Sequence, residues 1–183
     1  MSPVAWVARV ASPRRLALFC ALVVPCLLAL NFAPLPFSVP RLRALSGGYG
    51  LLDLELHYGA TRAYEMLAAY GEQGRRLYLI GLATVDLILP AAMATLLAMA
   101  LTLAGARRLA WLPFAMALAD YLENACLMVL LARYPSQLPR LAATAGWLTS
   151  AKQALFVASL LTLLLTAARR MIPRTAREPA NTL

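Results

Sequence analysis

Charge is scarce in this chain. Asp, Glu, Lys and Arg make up 14% of its 183 residues, where a soluble domain carries about 25%. That shortage excludes an ordinary soluble fold. Acid is scarcer still, with eight Asp and Glu against seventeen Lys and Arg. Histidine occurs once, as His57, so no histidine-based metal cluster can assemble. Cys20, Cys26 and Cys126 lie inside apolar stretches with no CxxC or zinc spacing, where free cysteine acts as a small hydrophobe. No metal site is expected. Phosphate loops, nucleophile elbows, HExxH and EF-hand patterns are absent too.

The net charge of +9 raises the question of nucleic acid. A nucleic-acid surface needs a basic stripe interleaved with aromatics. Here the arginines sit singly or in pairs at the edges of apolar runs, so the charge reads as membrane topology and contact with anionic headgroups.

What the chain has in plenty is apolar length: 62% of it is hydrophobic. A bilayer crossing takes about 20 helical residues. Four runs reach that length, over about 16–36, 77–104, 109–132 and 146–168. Only Gly105–Arg108 separates the second from the third, and the link to the fourth is short. The expected fold is all-α, an integral membrane bundle of four transmembrane helices. Residues 1–15 would be a cytoplasmic N-terminus, 37–76 an extracytoplasmic segment and 169–183 a basic cytoplasmic tail. The Ser12–Leu16 stretch resembles the start of a secretory signal, but the run behind it is long and offers no small-x-small cleavage site, which predicts a retained first helix. Arg9, Arg14, Arg15, Arg107, Arg108, Arg169, Arg170, Arg174 and Arg177 fall on one side of such a bundle. The positive-inside rule then puts both termini in the cytoplasm.

Within 37–76, residues 59–70 carry an apolar stripe of Ala63, Met66, Leu67 and Tyr70 beside the wet Arg62 and Glu65. This predicts a short amphipathic interfacial helix between the first and second spans, either a plain anchor or a cover over the bundle mouth. Gly71 and Gly74 are expected to break the chain after it. Tyr49, Tyr58, Tyr64, Tyr70 and Tyr78 suit an interfacial belt. Asp53 and His57, four apart, suit a surface pair.

The most informative residues are Asp86, Asp120, Glu123 and Lys152, each inside an apolar span. An ionisable side chain in mid-bilayer costs on the order of 2.5–3.5 kcal/mol. Counted from the outer ends, Asp86 and Glu123 lie roughly 14–15 Å deep, Asp120 roughly 20 Å and Lys152 roughly 10 Å. Asp120, Glu123 and Asn124 share a face of the third helix. Arg75, Tyr78 and Asp86 share a strip of the second, while Thr149, Lys152, Gln153 and Phe156 cluster on the fourth. Pro90 withholds a backbone donor close to Asp86. The candidate site is therefore an intramembrane polar pocket of Asp86, Asp120, Glu123, Asn124, Lys152, Tyr78 and Arg75. Lys152 can neutralise one carboxylate, and the others are candidates for proton transfer or for holding a cation.

Three functions fit this pattern. One is binding of an amphiphilic small molecule or cation from the outer half of the bilayer. Another is intramembrane proton-transfer chemistry on a lipid or isoprenoid. The third is a structural or assembly subunit held by a buried charge network. Membrane lipid is the expected partner, nucleic acid is not, and the cofactor and oligomeric state stay open.

The run Gly74-Arg75-Arg76-Leu77-Tyr78, then Asp86 with Pro90, then Asp120-Tyr121-Leu122-Glu123-Asn124, then Lys152 resembles a set of small bacterial four-span integral membrane proteins without an assigned activity. The resemblance covers about 51–168 and implies the four-span topology and the grouping of polar residues. A fainter resemblance, carried by the acid and proline on the second span, is to the four-span sterol isomerase and sigma-2-receptor type family. That family holds buried acids in a sterol-sized cavity.

Overall fold

The computed structural model describes residues 2–171, and every described element is helical. Arg174 and Arg177, two of the arginines that bear on topology, lie outside the described residues. Seven α-helices are described: α1 Pro3–Val10, α2 Pro13–Phe32, α3 Val39–Ser46, α4 Ala60–Ala69, α5 Gly71–Leu103, α6 Leu112–Arg133 and α7 Pro139–Met171. Short 3-10 turns lie at Leu52–Leu54 and Arg107–Leu109. Four helical segments are long and apolar enough to cross a membrane: Pro13–Phe32, Gly71–Leu103, Arg107–Arg133 and Pro139–Arg170.

Serine followed closely by proline starts the first three helices. Ser2, Ser12 and Ser38 each accept a hydrogen bond from the backbone N–H three residues on, at 3.3 Å. Proline then occupies the first turn, where no N–H is needed. This device explains α1 and α3, two helices that hydropathy alone does not reveal. It also sets the start of α2 at Pro13, a little before the apolar run.

The second span begins at Gly71, six residues before the expected Leu77. Gly71 adopts φ +62°, which lets the chain turn out of α4 straight into α5. Gly74 does not break the helix; its N–H bonds to Tyr70 O at 3.0 Å. The polar turn Gly71–Arg76 is simply the first part of a 33-residue helix.

α6 lies between α5 and α7 and packs closely on both, while α2 leans on α5 and α3. One end of the assembly is closed by Val7 of α1 with Ala98, Met99 and Leu101 of α5. At the other end Leu52, Tyr58 and α4 meet Leu127, Leu130 and Ala145. The outward faces of α2 and α7 are apolar and exposed, with Leu18, Leu22, Leu161 and Leu164 all uncovered. That is inside-out for water and normal for lipid.

The α4 stripe departs from the anchor expectation. Ala63, Met66, Leu67 and Tyr70 are 0–1% exposed, because the protein itself covers them. The tyrosines depart from the belt in the same way. Tyr58, Tyr70 and Tyr78 are buried, and Tyr70 donates to Gly50 O at 2.8 Å. Burial pushes the Tyr58 and Tyr70 phenols well above their usual range, so both stay neutral.

Residues 55–58 are strapped to one face of α7. Gln153 Nε2 donates to Glu55 O at 2.9 Å, and Ser150 Oγ donates to Leu56 O at 3.0 Å. His57 does not pair with Asp53; its Nδ1 lies 3.0 Å from Ser150 Oγ and its ring packs on Trp147. The strap comes so close that a Cβ on Gly146 would run into the Tyr58 carbonyl. Gly146→Ala is therefore expected to cost about 1–3 kcal/mol, as overpacked sites do. The check is thermal unfolding in mild detergent together with protease nicking of 47–58. A variant with the parent's midpoint and nicking rate would contradict the seating of the strap.

Candidate functional site

The stretch Asp120-Tyr121-Leu122-Glu123-Asn124 of α6 holds both neighbouring helices at once. Asp120 and Glu123, one turn apart, face α7. The Lys152 Nζ donates to Asp120 Oδ1 at 2.9 Å and lies 2.6 Å from Glu123 Oε2. That second contact is the shorter arm of the ion pair. Thr149 Oγ1 donates to the other Glu123 oxygen at 2.5 Å. Glu123 and Thr149 have no exposure at all. Lys152 is also the only lysine in the chain.

Tyr121 and Asn124, again one turn apart, face α5. Pro90 has no N–H to give, so the Asp86 carbonyl four residues earlier lacks its helical partner. Asn124 Nδ2 reaches that carbonyl at 3.5 Å, a long bond. Tyr121 Oη donates to the next one, Leu87 O, at 2.8 Å. Asp120, Glu123 and Asn124 were expected on one face. They share that face, and its edges meet different helices: the acids reach Lys152 of α7 and the amide reaches the Asp86 carbonyl of α5.

A cavity of about 280 Å³ opens beside this clasp. Its polar wall is Asp53, Asp86, Asp120, Lys152 and Gln153, and its apolar wall includes Leu27, Leu89, Met93, Met116 and Phe156. Side chains from α2, α5, α6, α7 and the Leu52–Leu54 turn thus meet around one space.

Of the seven candidate residues, Asp86, Asp120 and Lys152 line the cavity. Glu123 stands behind Lys152 and fixes it. Tyr78 does not line the space; its Oη donates to Asp53 Oδ1 at 2.6 Å and accepts from Asp53 N at 3.3 Å. It positions Asp53, an acid of the connecting segment that spacing alone pairs with His57 at the surface. The signal for Asp53 was its setting in Leu51-Leu52-Asp53-Leu54, too apolar for a solvated loop. Asn124 touches Asp86 through its backbone only. Arg75 is elsewhere: it donates to Leu67 O at 2.9 Å and lies over the Tyr134 ring at 4.0 Å. Its long side chain bends back to cap α4.

Among the described residues, no three of His, Cys, Asp or Glu come together to hold a metal ion. Neither family models, curated proteins nor solved structures give a match to the chain.

Removing one partner of a buried ion pair costs about 3–5 kcal/mol, whereas an interhelical hydrogen bond within a membrane is worth about 0.6 kcal/mol. Lys152→Met is thus expected to destabilise far more than Tyr121→Phe. Adding Asp120→Asn and Glu123→Gln to Lys152→Met should recover much of the loss. Thermal unfolding of the four proteins in one detergent checks this. A Lys152→Met variant as stable as Tyr121→Phe would contradict the ion-pair assignment.

Proposed function

We propose that this chain is a multi-pass protein of a bacterial inner membrane whose four-helix bundle binds a small amphiphile or cation. The carrying observation is the composition of the cavity wall, with three carboxylates and one amine facing a Leu, Met and Phe surface. A charge network serving only as glue would be expected to close on itself. This one adjoins open volume.

The orientation follows from arginine placement. Arg9, Arg14, Arg15, Arg107, Arg108, Arg169 and Arg170 gather at the end closed by α1, and all are exposed. No described acid lies within that end's segments. The opposite end mixes Arg41, Arg43, Arg62, Arg75 and Arg76 with Asp53, Glu55, Glu65 and Glu72. In this reading both termini are cytoplasmic and the cavity lies in the outer half of the bilayer. α4 and the strap then form a cover on the outer interface rather than a passive anchor.

Size narrows the occupant. About 280 Å³ is at the lower limit of ligand pockets, which run about 300–1,000 Å³. The space suits a headgroup and a short apolar portion, and a sterol does not fit wholly inside it. Asp86 lines this space without an ion-pair partner among the described residues, so its neutralisation should spare the fold.

The test is mass spectrometry of organic extracts from purified protein, comparing the parent with Asp86→Asn and Met93→Trp. Both variants are expected to unfold near the parent's midpoint and to lose a co-purifying small molecule by about tenfold, equivalent to about 1.4 kcal/mol of binding. Equal recovery from all three proteins would contradict the proposal.

A further inference from the structure

The acid-lined cavity does not end at its polar wall. A second groove of about 320 Å³ runs between α2 and α5, lined by Leu22, Val23, Cys26, Ile88, Ala92 and their neighbours, all apolar. The two spaces share Leu89 as a wall residue. A smaller space of about 100 Å³ touches Asp53 and Asp86 on one side and Val85 and Leu89 on the other. Acid and apolar groove therefore meet within one turn of α5.

The charges set the sign of the occupant. Among the described residues Lys152 is the one cation on the cavity wall, and it is committed to Asp120 and Glu123. Asp53 and Asp86 have no cationic partner among the described residues. Beside Asp86, the Asn124 Oδ1 is buried at 4% residue exposure and accepts no hydrogen bond. An anionic headgroup would face two carboxylates without an ion-pair partner among the described residues. A protonated amine offers both carboxylates opposite charge and N–H donors.

We propose that the ligand is a long-chain amine, with its ammonium between Asp86 and Asp53 and its single alkyl chain passing Leu89 into the α2–α5 groove. The inference rests on the amphiphile-binding reading above and gives its chemical class. The groove extends along Val85–Ala92, about 10 Å of helix, so a chain of dodecyl length fills it and a butyl chain does not reach its far end.

The experiment uses the full chain in phosphatidylcholine nanodiscs at neutral pH, with empty nanodiscs as the partition control. Binding of dodecylamine, dodecanol, dodecanoate and butylamine is measured by equilibrium dialysis. Dodecylamine is expected to bind at least about tenfold more tightly than the other three. Asp86→Asn should erase the preference of dodecylamine over dodecanol. Ala92→Trp, which fills the groove from a wall not shared with the acid cavity, should weaken dodecylamine and leave butylamine unchanged. Equal or tighter binding of dodecanol or dodecanoate overturns the amine assignment while the amphiphile reading stands. Unaltered dodecylamine binding by Ala92→Trp overturns the placement of the chain. Binding of no probe above empty nanodiscs overturns both readings.

Discussion

Five consecutive residues of α6 set the geometry on which the site depends. In water, an ammonium shared by two carboxylates would be of small consequence, since exposed pairs contribute about 0–1 kcal/mol. Among apolar helices the same three groups cannot separate cheaply, because each would then face hydrocarbon alone. The contact of Lys152 with Asp120 and Glu123 therefore fixes the rotation and depth of α7 against α6. Tyr121 and Asn124 do the corresponding task toward α5, taking carbonyls at the Pro90 irregularity. With α5, α6 and α7 registered in this way, Asp86 and Asp120 must line the same space.

The segment between α3 and α4 completes that space rather than merely covering it. Tyr78 grips Asp53 from α5, and α7 grips the backbone of Glu55 and Leu56. These bonds hold the Leu52–Leu54 turn over the cavity, so one of its walls is built from a connecting loop. Buried tyrosines suit the task because a phenol carries its own apolar surface into the interior while donating one directed bond.

Much of the fold was legible from the sequence because hydrophobic length is decisive in a bilayer and few alternatives satisfy the backbone there. The four long helices, the tight turn at Gly105–Arg108 and the meeting of Asp120, Glu123 and Lys152 all follow from run length and helical depth. α1 and α3 escaped notice because they begin from Ser-Pro capping rather than from hydropathy. Arg75 was placed with the site on angular grounds, yet a side chain that long can reach along its helix to whichever carbonyl is free. Asp53 was missed because its position depends on a tertiary bond to Tyr78, twenty-five residues away. His57 was paired by spacing with an acid that Tyr78 had already taken.

An acid-rich cavity with apolar walls, next to an apolar groove between α2 and α5, is what the bundle's own interactions generate. All of it requires that α6 and α7 be joined through one ammonium. Lys152 being the sole lysine, ¹⁵N-lysine labelling gives a single side-chain signal. Solid-state NMR of the bilayer-embedded protein, with ¹³C in the carboxylates, should show that signal dipole-coupled to one Asp and one Glu side chain. A lysine signal coupled to neither, with the rapid exchange of a solvated amine, would contradict the account.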